Sequence, residues 1–198
     1  MKRKPINTED MRDLIADILN VLDPDAGRAG LEETPARFLK AWEHWTSGYD
    51  VDAEALLKTF EDGAEDYDEM VFVGAIPFYS TCEHHLAPFF GVAHVAYIPD
   101  GRIVGLSKIP RLIDAFSRRL SVQERITTQV ADTMQDVLRP KGVAVCLQAR
   151  HMCVESRGVA KAGTVTTTAA MRGVFKEKAH AKDEFYRMIS NAKGQGLA

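Results

Sequence analysis

The chain has 198 residues, of which 45% are hydrophobic and 27% charged, as expected for a globular protein with one domain and an appendage. The formal net charge is -3, which argues against a general nucleic-acid partner. The sequence has no apolar run long enough to span a bilayer and no signal-peptide pattern, so we expect no membrane partner. Three cysteines fit a reducing compartment better than a disulfide framework, so we expect a cytoplasmic protein.

Two amphipathic helices are predicted near the N-terminus. Thr8 can cap a first helix, whose apolar residues recur at helical spacing as far as Leu22. Thr34 and Pro35 have the form of an N-cap followed by proline at the first helical position. The apolar stripe that follows, between residues 38 and 45, is typical of a helix that packs on a core.

An acidic stretch separates this helical region from the rest of the chain. Residues 61–69 are almost entirely polar, and we interpret them as a solvated connection. From residue 70 onward the sequence becomes rich in strand-forming residues. The pattern therefore predicts an N-terminal helical region over 1–69 and a second domain over 70–198.

The sequence of the second domain predicts a sheet whose strands alternate with helices along the chain. Strands are predicted at 70–77, 89–98, 102–106, 142–154 and 164–171. Asp100-Gly101 is the strongest hairpin signal in the chain, and predicts that the second and third of these strands pair.

Three helices are predicted within this domain. Ser107 opens the first, and Ser121-Val122-Gln123-Glu124 has the form of a capping box at the start of the second. A short amphipathic helix around 183–190 ends the chain. Strands in pairs with helices between them indicate an α+β fold with an antiparallel sheet and helices packed on one face.

One short motif combines several side chains that can bind a metal or transfer protons. Thr81-Cys82-Glu83-His84-His85 follows the first strand and combines a thiol, a carboxylate and two imidazoles. Cys82 and His85 are three residues apart, so one turn of helix or a tight loop aims both side chains at a common point. A thiolate and a neutral imidazole are ligands that zinc prefers. Two ligands do not make a site, so another donor must come from elsewhere.

His151-Met152-Cys153 is the obvious source of that donor. If 142–154 is a strand, alternate residues share a face, and Cys153 lies on the same face as His151. Cys146 has the opposite parity and is expected to be a buried thiol outside the site. The alternative is that Cys82 is a core thiol and the histidines cap a loop.

Three protein ligands with one open position are typical of catalytic zinc, whereas a structural site is closed by four. Zinc lowers the pKa of a bound water to about 7, which supplies hydroxide at neutral pH. His84 and His151 stand beside the predicted ligands, where they are candidates for proton transfer.

The stretch Phe78-Tyr79-Ser80-Thr81-Cys82-Glu83-His84-His85 resembles GTP cyclohydrolase I. Further stretches agree with this family in the same order: Gly30 to Arg37, Gly105 to Arg111, Val122-Gln123-Glu124-Arg125, His151-Met152-Cys153 with Arg157-Gly158, and Met171 to Phe175. The resemblance implies the tunnelling fold, in which sheets of several subunits join into a barrel. It also implies a toroidal homodecamer with active sites between subunits, which converts GTP and water to dihydroneopterin triphosphate and formate.

The resemblance also implies roles for single residues. It makes Cys82, His85 and Cys153 the ligands of Zn2+, and His84 and His151 the proton-transfer pair. The implied substrate-binding residues are Gln123, Glu124, Ser107, Lys108, Arg111, Arg157 and, from a neighbouring subunit, Arg37. Charge supports part of this set, because an acidic protein must meet a triphosphate with a local cationic cluster. Lys108 and Arg111 lie at a helix N-terminus, which itself favours phosphate.

Glu124 has two competing interpretations. As the last residue of the predicted capping box, it would bond a backbone amide of its own helix. In the family that Val-Gln-Glu-Arg resembles, this glutamate grips guanine through its N1–H and amino group, since a carboxylate can accept two parallel N–H bonds. We favour the guanine contact.

Two other classes of function stay open. One is a relative with the same fold and different pterin or purine chemistry, such as a pterin synthase or nitrile reductase. Cys82, Glu124 and the Lys108/Arg111 pair argue against it. The other is a non-catalytic, zinc-stabilised assembly protein, which should have four protein ligands around its metal.

Overall fold

A computed structural model describes residues 6, 8–61 and 67–193. The N-terminal region contains α1 (Glu9–Leu22) and α2 (Thr34–Trp45), then a 3-10 turn (Ser47–Asp50), α3 (Ala53–Leu56) and β1 (Thr59–Phe60). The predicted solvated connection falls largely on residues 62–66, which lie outside the described residues. No helix in the described part of the chain is both long and apolar enough to cross a membrane.

The N-caps of α1 and α2 can be compared with those predicted from the sequence. The Thr8 hydroxyl oxygen accepts from the Met11 amide at 3.3 Å, so the predicted cap of α1 is confirmed. In α2 the N-cap is Glu33 and Thr34 is already helical, one residue earlier than predicted. Pro35 still lies in the first turn, where its missing amide proton costs the helix no hydrogen bond.

The centre of the molecule is a five-stranded sheet of order β5-β2-β3-β6-β7. Its strands are β2 (Val71–Cys82), β3 (Pro88–Ile98), β5 (Leu120–Ser121), β6 (Gly142–His151) and β7 (Val165–Gly173). The four long strands are antiparallel, and the short β5 runs parallel to β2. The predicted α+β class with an antiparallel sheet is confirmed.

The hairpin predicted at Asp100-Gly101 is wrong in its pairing. Gly101 does adopt a positive φ of 71°, as a tight turn requires. The strand that follows, β4 (Ile103–Val104), pairs with β1 in a separate two-stranded sheet. The Val104 amide donates to the Tyr97 hydroxyl at 3.2 Å. This amide is therefore bonded to a side chain of β3 and not to the β3 backbone, as a hairpin would require.

Two helices cover one face of the sheet, as predicted. They are α4 (Lys108–Ser117) and α5 (Gln123–Leu138). The apolar residues that recur at helical spacing in α4 are all buried: Ile109, Leu112, Ile113 and Phe116. They pack with residues of β6 such as Val145 and Leu147. Full burial of one such side chain contributes roughly 1.5–3 kcal/mol before conformational entropy is subtracted.

The C-terminal helices pack on the opposite face of β6. They are α7 (Val174–Glu177) and α8 (Ala179–Lys193), the latter longer than the predicted helix around 183–190. Phe185 of α8 and Phe175 of α7 join Ala144 and Cys146 in a second core. Cys146 is 1% exposed, so its prediction as a buried thiol of opposite parity is confirmed.

Two local predictions near the site are wrong. Strand β6 ends at His151, and Met152–Glu155 forms a single helical turn, α6. The Ser156 hydroxyl donates to the Met152 carbonyl at 2.6 Å and closes this turn. The predicted capping box is also absent, since α5 begins at Gln123 with Val122 as its N-cap and no side-chain cap. Ser121 lies in β5 and pairs with Cys82, so it is unavailable to the helix.

Candidate metal centre and active site

Three predicted ligands come together at one end of the sheet. Cys82 ends β2, His85 lies in the turn that follows, and Cys153 lies in α6. Their ligand atoms all lie within 4.8 Å of one another. The Leu86 amide donates to the Cys82 carbonyl at 2.8 Å, which closes the turn and aims His85 back toward the thiol.

The spacing of these atoms fits a metal ion. Cys82 Sγ lies 3.8 Å from His85 Nδ1. The usual zinc–sulfur and zinc–nitrogen bond lengths at a tetrahedral angle place such a pair about 3.6 Å apart. Burial and the neighbouring Cys82 thiol raise the pKa of the Cys153 thiol, so the surroundings disfavour its thiolate. A bound cation reverses that preference, and the group is therefore a candidate metal centre.

The route by which Cys153 reaches this group differs from the predicted one. The sequence argument placed it on a strand face shared with His151, but β6 ends at His151 and Cys153 lies in the helical turn α6. The parity argument holds only within the strand, where Cys146 does face the opposite core. Cys153 therefore joins Cys82 and His85 through a helical turn that the strand-rich sequence does not predict.

His84 lies at the open side of the candidate centre. Its side chain is 65% exposed, and its Nδ1 is 4.0 Å from Cys82 Sγ. The preceding Glu83 receives two bonds from the Arg125 guanidinium, at 2.5 and 3.0 Å, which hold the pKa of that carboxyl below its ordinary value. This ion pair fastens the metal-binding turn to α5. The sequence analysis missed it, although Arg125 lies inside the recognised motif.

His151 is held more firmly than His84. Its Nε2 lies 2.8 Å from Gln123 Oε1, and its ring stacks on Phe89 with centroids 4.6 Å apart and planes within 5°. Phe89 is the cross-strand partner of His151 in the sheet. Burial lowers the pKa of His151, and the carboxylates of Glu124 and Glu155 act in the opposite direction.

Gln123 is buried next to His151. The resemblance grouped it with the substrate contacts, but it is 1% exposed and its side chain bonds inside the protein. Its amide group donates toward Leu147 and Thr168, while its oxygen faces His151. The side chain therefore has no polar atom left for a ligand, and only its contact with His151 connects it to the site.

The charges of Glu124 and Arg157 act on two residues of this region. Glu124 is exposed, caps no amide of its helix, and is close enough to His151 to affect its charge. The positive charge of Arg157 acts on Cys153.

The loop that carries Arg157 is tied down by Glu155, to which the sequence analysis assigned no role. Glu155 binds Arg150 through bonds of 2.9 and 2.6 Å and accepts from the Gly163 amide at 3.0 Å. The two ends of the loop are thereby joined through one carboxylate.

The remaining predicted residues stand apart from this cluster. Ser107 is the N-cap of α4, Lys108 begins that helix and Arg111 lies in its first turn. Arg37 lies on α2 and pairs with Glu33 one turn earlier. Within the described ranges, no hydrogen bond or ion pair joins these four residues to the candidate metal centre.

A large cavity in the described part of the chain lies away from this centre. Its volume is about 690 Å³, and its lining comes from α2, α4 and β2, with Trp45, Tyr79 and Leu86 among the lining residues. None of the predicted site residues lines it. The cavity walls are mainly apolar side chains, so it is not the place for a triphosphate.

Comparison with known proteins decides the family. The sequence profile of GTP cyclohydrolase I matches residues 11–190. The chain belongs to the GTP cyclohydrolase I family. This membership favours an enzyme over the two alternatives that the sequence left open, a relative with other chemistry and a non-catalytic assembly protein.

Individual relatives are similar over nearly their whole length. GTP cyclohydrolase 1 of Janthinobacterium sp. (strain Marseille) is 52% identical over 184 residues, which cover 93% of this chain and 91% of that one. The enzyme of Nitrosospira multiformis is 55% identical over 174 residues, or 88% and 91% of the two chains. Among solved structures, the archaeosine synthase QueF-Like in the apo form is 17% identical, with a TM-score of 0.43 over 52% of this chain and 93% of that one.

Proposed function

We propose that this member of the GTP cyclohydrolase I family hydrolyses GTP at C8 of its purine, releases formate and forms 7,8-dihydroneopterin triphosphate. The observation that carries the proposal is the convergence of Cys82, His85 and Cys153 within 4.8 Å, beside His84 and His151. A metal centre flanked by imidazoles combines a source of nucleophile with groups that move protons, which is what hydrolysis of an aromatic amidine requires.

Cys82, His85 and Cys153 would hold Zn2+. Zinc, when bound with an open position, would supply a water acidic enough to act as a nucleophile at neutral pH. The two thiolates and one imidazole are donors that suit zinc better than magnesium or calcium, which prefer oxygen.

His84 and His151 would carry the protons. While water adds to C8, one imidazole would protonate a nitrogen of the five-membered ring, so that the C–N bond breaks and leaves a formamide. A second hydrolysis would release formate from that formamide. The ribose would then open, isomerise and close onto the freed amine with loss of water, and the histidines would act as acid and base for these steps.

Substrate binding is proposed for residues around this centre. Glu124, exposed and close to His151, would accept from N1–H and the amino group of guanine. Ser107, Lys108, Arg111 and Arg157 would contact the ribose and the triphosphate. Lys108 and Arg111 make no ion pair in the part of the chain that the structure describes, so both cations are available to an anion. Gln123 would act through its hydrogen bond to His151.

The assembly is proposed to be a homodecamer with active sites between subunits. Arg37 is far along the chain from the metal ligands and joins none of them here, which fits a phosphate contact made in a neighbouring subunit. Exposed apolar side chains support such contacts: Tyr79 is 69% and Leu86 54% exposed. Strand β7 pairs only with β6 among the described strands, so its other edge is open to a neighbouring sheet.

Two further proposals concern organisation. We propose the division into a helical region over 1–69 and a catalytic domain over 70–198, and we propose that the enzyme works in the cytoplasm, where thiol ligands stay reduced.

The proposal is tested by incubating the zinc-loaded protein with GTP and measuring formate and the pterin product together. The expected result is one formate per GTP consumed. A Cys146→Ala variant is the matched control, because this thiol lies in the second core, and it should retain both zinc and activity. Cys153→Ala should lose both. Consumption of GTP without formate would refute the proposed function.

A further inference from the structure

The side-chain amide of Gln123 has one orientation that satisfies its surroundings. Its nitrogen lies 3.0 Å from the Leu147 carbonyl, 3.1 Å from the Thr166 carbonyl and 3.0 Å from the Thr168 hydroxyl. Carbonyl oxygens only accept hydrogen bonds, so an amide nitrogen must face them. Turning the amide over would oppose its oxygen to two carbonyls in a buried site.

This orientation leaves the oxygen of Gln123 facing His151. Oε1 lies 2.8 Å from Nε2 of the imidazole, and an amide oxygen is only an acceptor. Nε2 must therefore carry a hydrogen, in the neutral ring as well as in the protonated ring. Nδ1 is then the ring nitrogen that the bond to Gln123 leaves unoccupied.

The surroundings of Gln123 hold it in place. The Thr127 hydroxyl lies 2.7 Å from the Gln123 backbone carbonyl and 2.7 Å from the Thr168 hydroxyl. Thr127 donates to that carbonyl and accepts from Thr168, whose oxygen in turn accepts from the Gln123 amide. Each hydroxyl thus has one donor role and one acceptor role. Thr127 and Gln123 are both 1% exposed, so water does not compete for these bonds.

The face of the imidazole is fixed independently. Phe89 is fully buried, and its ring lies parallel to that of His151 at 4.6 Å. Stacking fixes the plane of the imidazole, and the bond to Gln123 fixes its rotation within that plane. The two contacts together leave the ring one position.

We propose that Gln123 is the positioning residue of His151: it holds a hydrogen on Nε2, fixes the rotation of the ring and leaves Nδ1 as the ring nitrogen that meets the substrate. The part of this inference that concerns the substrate rests on the proposed function. The part that concerns the position of the proton does not, since it follows from hydrogen bonds inside the protein.

Nitrogen NMR of the zinc-loaded protein with labelled histidine tests the position of the proton. At a pH where the ring is neutral, the hydrogen of His151 should reside on Nε2 and exchange slowly with water. His151→Asn assigns the signal. A hydrogen on Nδ1 in the wild-type protein would overturn the inference without any variant of Gln123.

Gln123→Met tests whether Gln123 is responsible. Methionine has similar length and replaces the amide oxygen by a sulfur that is only a weak acceptor, so the Nε2 hydrogen should lose its protection from exchange. Thr168→Val removes one bond of the same network and leaves Oε1 in place, so the protected hydrogen should remain even if the protein is less stable. Unchanged protection in Gln123→Met would contradict the proposal.

Steady-state kinetics test whether the hydrogen bond between Gln123 and His151 contributes to catalysis. Gln123→Met should lower kcat by roughly ten- to a hundredfold, less than loss of a general acid–base group altogether, with little change in KM. Gln148→Met is the matched control, since Gln148 lies on the same strand as His151 and its side-chain amide donates to the Thr167 hydroxyl; its kcat should be normal. A normal kcat in Gln123→Met would refute the catalytic part. If wild type releases no formate, the proposed function fails, while the NMR result still decides where the proton lies.

Discussion

Replacing Glu124 by glutamine separates binding of guanine from stability of α5. Glu124 is in the first turn of this helix and makes no cap, so the change removes only a favourable charge near the helix N-terminus. Such a charge contributes about 0.3–1 kcal/mol. For a domain of this size, 1 kcal/mol shifts the melting temperature by roughly 2–4 °C. The variant should therefore melt within a few degrees of wild type.

The expected effect on catalysis is much larger. Glutamine keeps one acceptor and places an N–H donor where guanine also presents a donor. Loss of a charge-assisted bond costs about 1.5–3 kcal/mol, and an unsatisfied donor costs about 1–3 more. Together they lower kcat/KM for GTP by roughly two to four orders of magnitude.

The assay pairs formate release with thermal melting. Glu9→Gln is the matched control, because Glu9 is an exposed acidic residue in the first turn of α1, and it should change melting slightly and kcat/KM not at all. Normal GTP turnover by Glu124→Gln would refute the guanine contact. A large loss of stability with an equal loss of activity would show that the carboxylate serves the fold instead.

Three further predictions concern phosphate, the loop and the assembly. Lys108→Ala and Arg111→Ala should weaken GTP binding roughly ten- to a hundredfold and guanosine binding much less; equal losses in calorimetric titrations would assign both residues to the fold. Arg150 and the Gly163 amide lower the pKa of Glu155 to about 2 from an ordinary 4.5, so its stabilisation is complete above that ordinary pKa and lost as pH falls toward 2. Metal-free Glu155→Gln should thus be less stable than metal-free wild type in urea at neutral pH, with the difference shrinking in acid; a constant difference would contradict the ion pair. Mixed oligomers of Arg37→Ala and His151→Ala chains should recover part of the activity that each lacks, and no recovery in proven mixtures would contradict a shared site.

The sequence predicted the sheet well because its strands are buried on a repeating pattern. Alternation in β6 places Val145 and Leu147 in one core and Cys146 in the other, and a period of two residues is visible in the sequence alone. The helical face of α4 was predicted for the same reason. Its apolar residues recur every three or four positions and all face the sheet.

Two of the predictions that failed depend on partners distant in sequence. The turn at Gly101 is a local property, but the pairing of β4 depends on Tyr97 and on β1, which no local signal reveals. The capping box failed because Ser121 is drawn into the sheet beside Cys82. The early end of the strand before Cys153 has a local cause, since the Ser156 hydroxyl closes the helical turn α6 on the Met152 carbonyl.

The sequence predicted that Cys82, His85 and Cys153 come together, which the structure shows, but it did not predict the side chains around them. Cys82, His85 and His151 stand in motifs with distinctive residue types. Gln123 and Phe89, which hold His151, are buried residues of types that do not by themselves indicate a functional site. Their roles depend on a cross-strand register and a buried network, which the sequence does not display.

Release of the C8 carbon tests the central claim most directly. GTP labelled isotopically at C8 is incubated with the zinc-loaded protein, and the label is followed into small products and into the pterin. We predict that all of the label appears as formate and none in the pterin, and that Cys153→Ala abolishes its release while Cys146→Ala does not. Label retained in the nucleotide-derived product, or release that survives Cys153→Ala, would contradict hydrolysis at C8 by this centre.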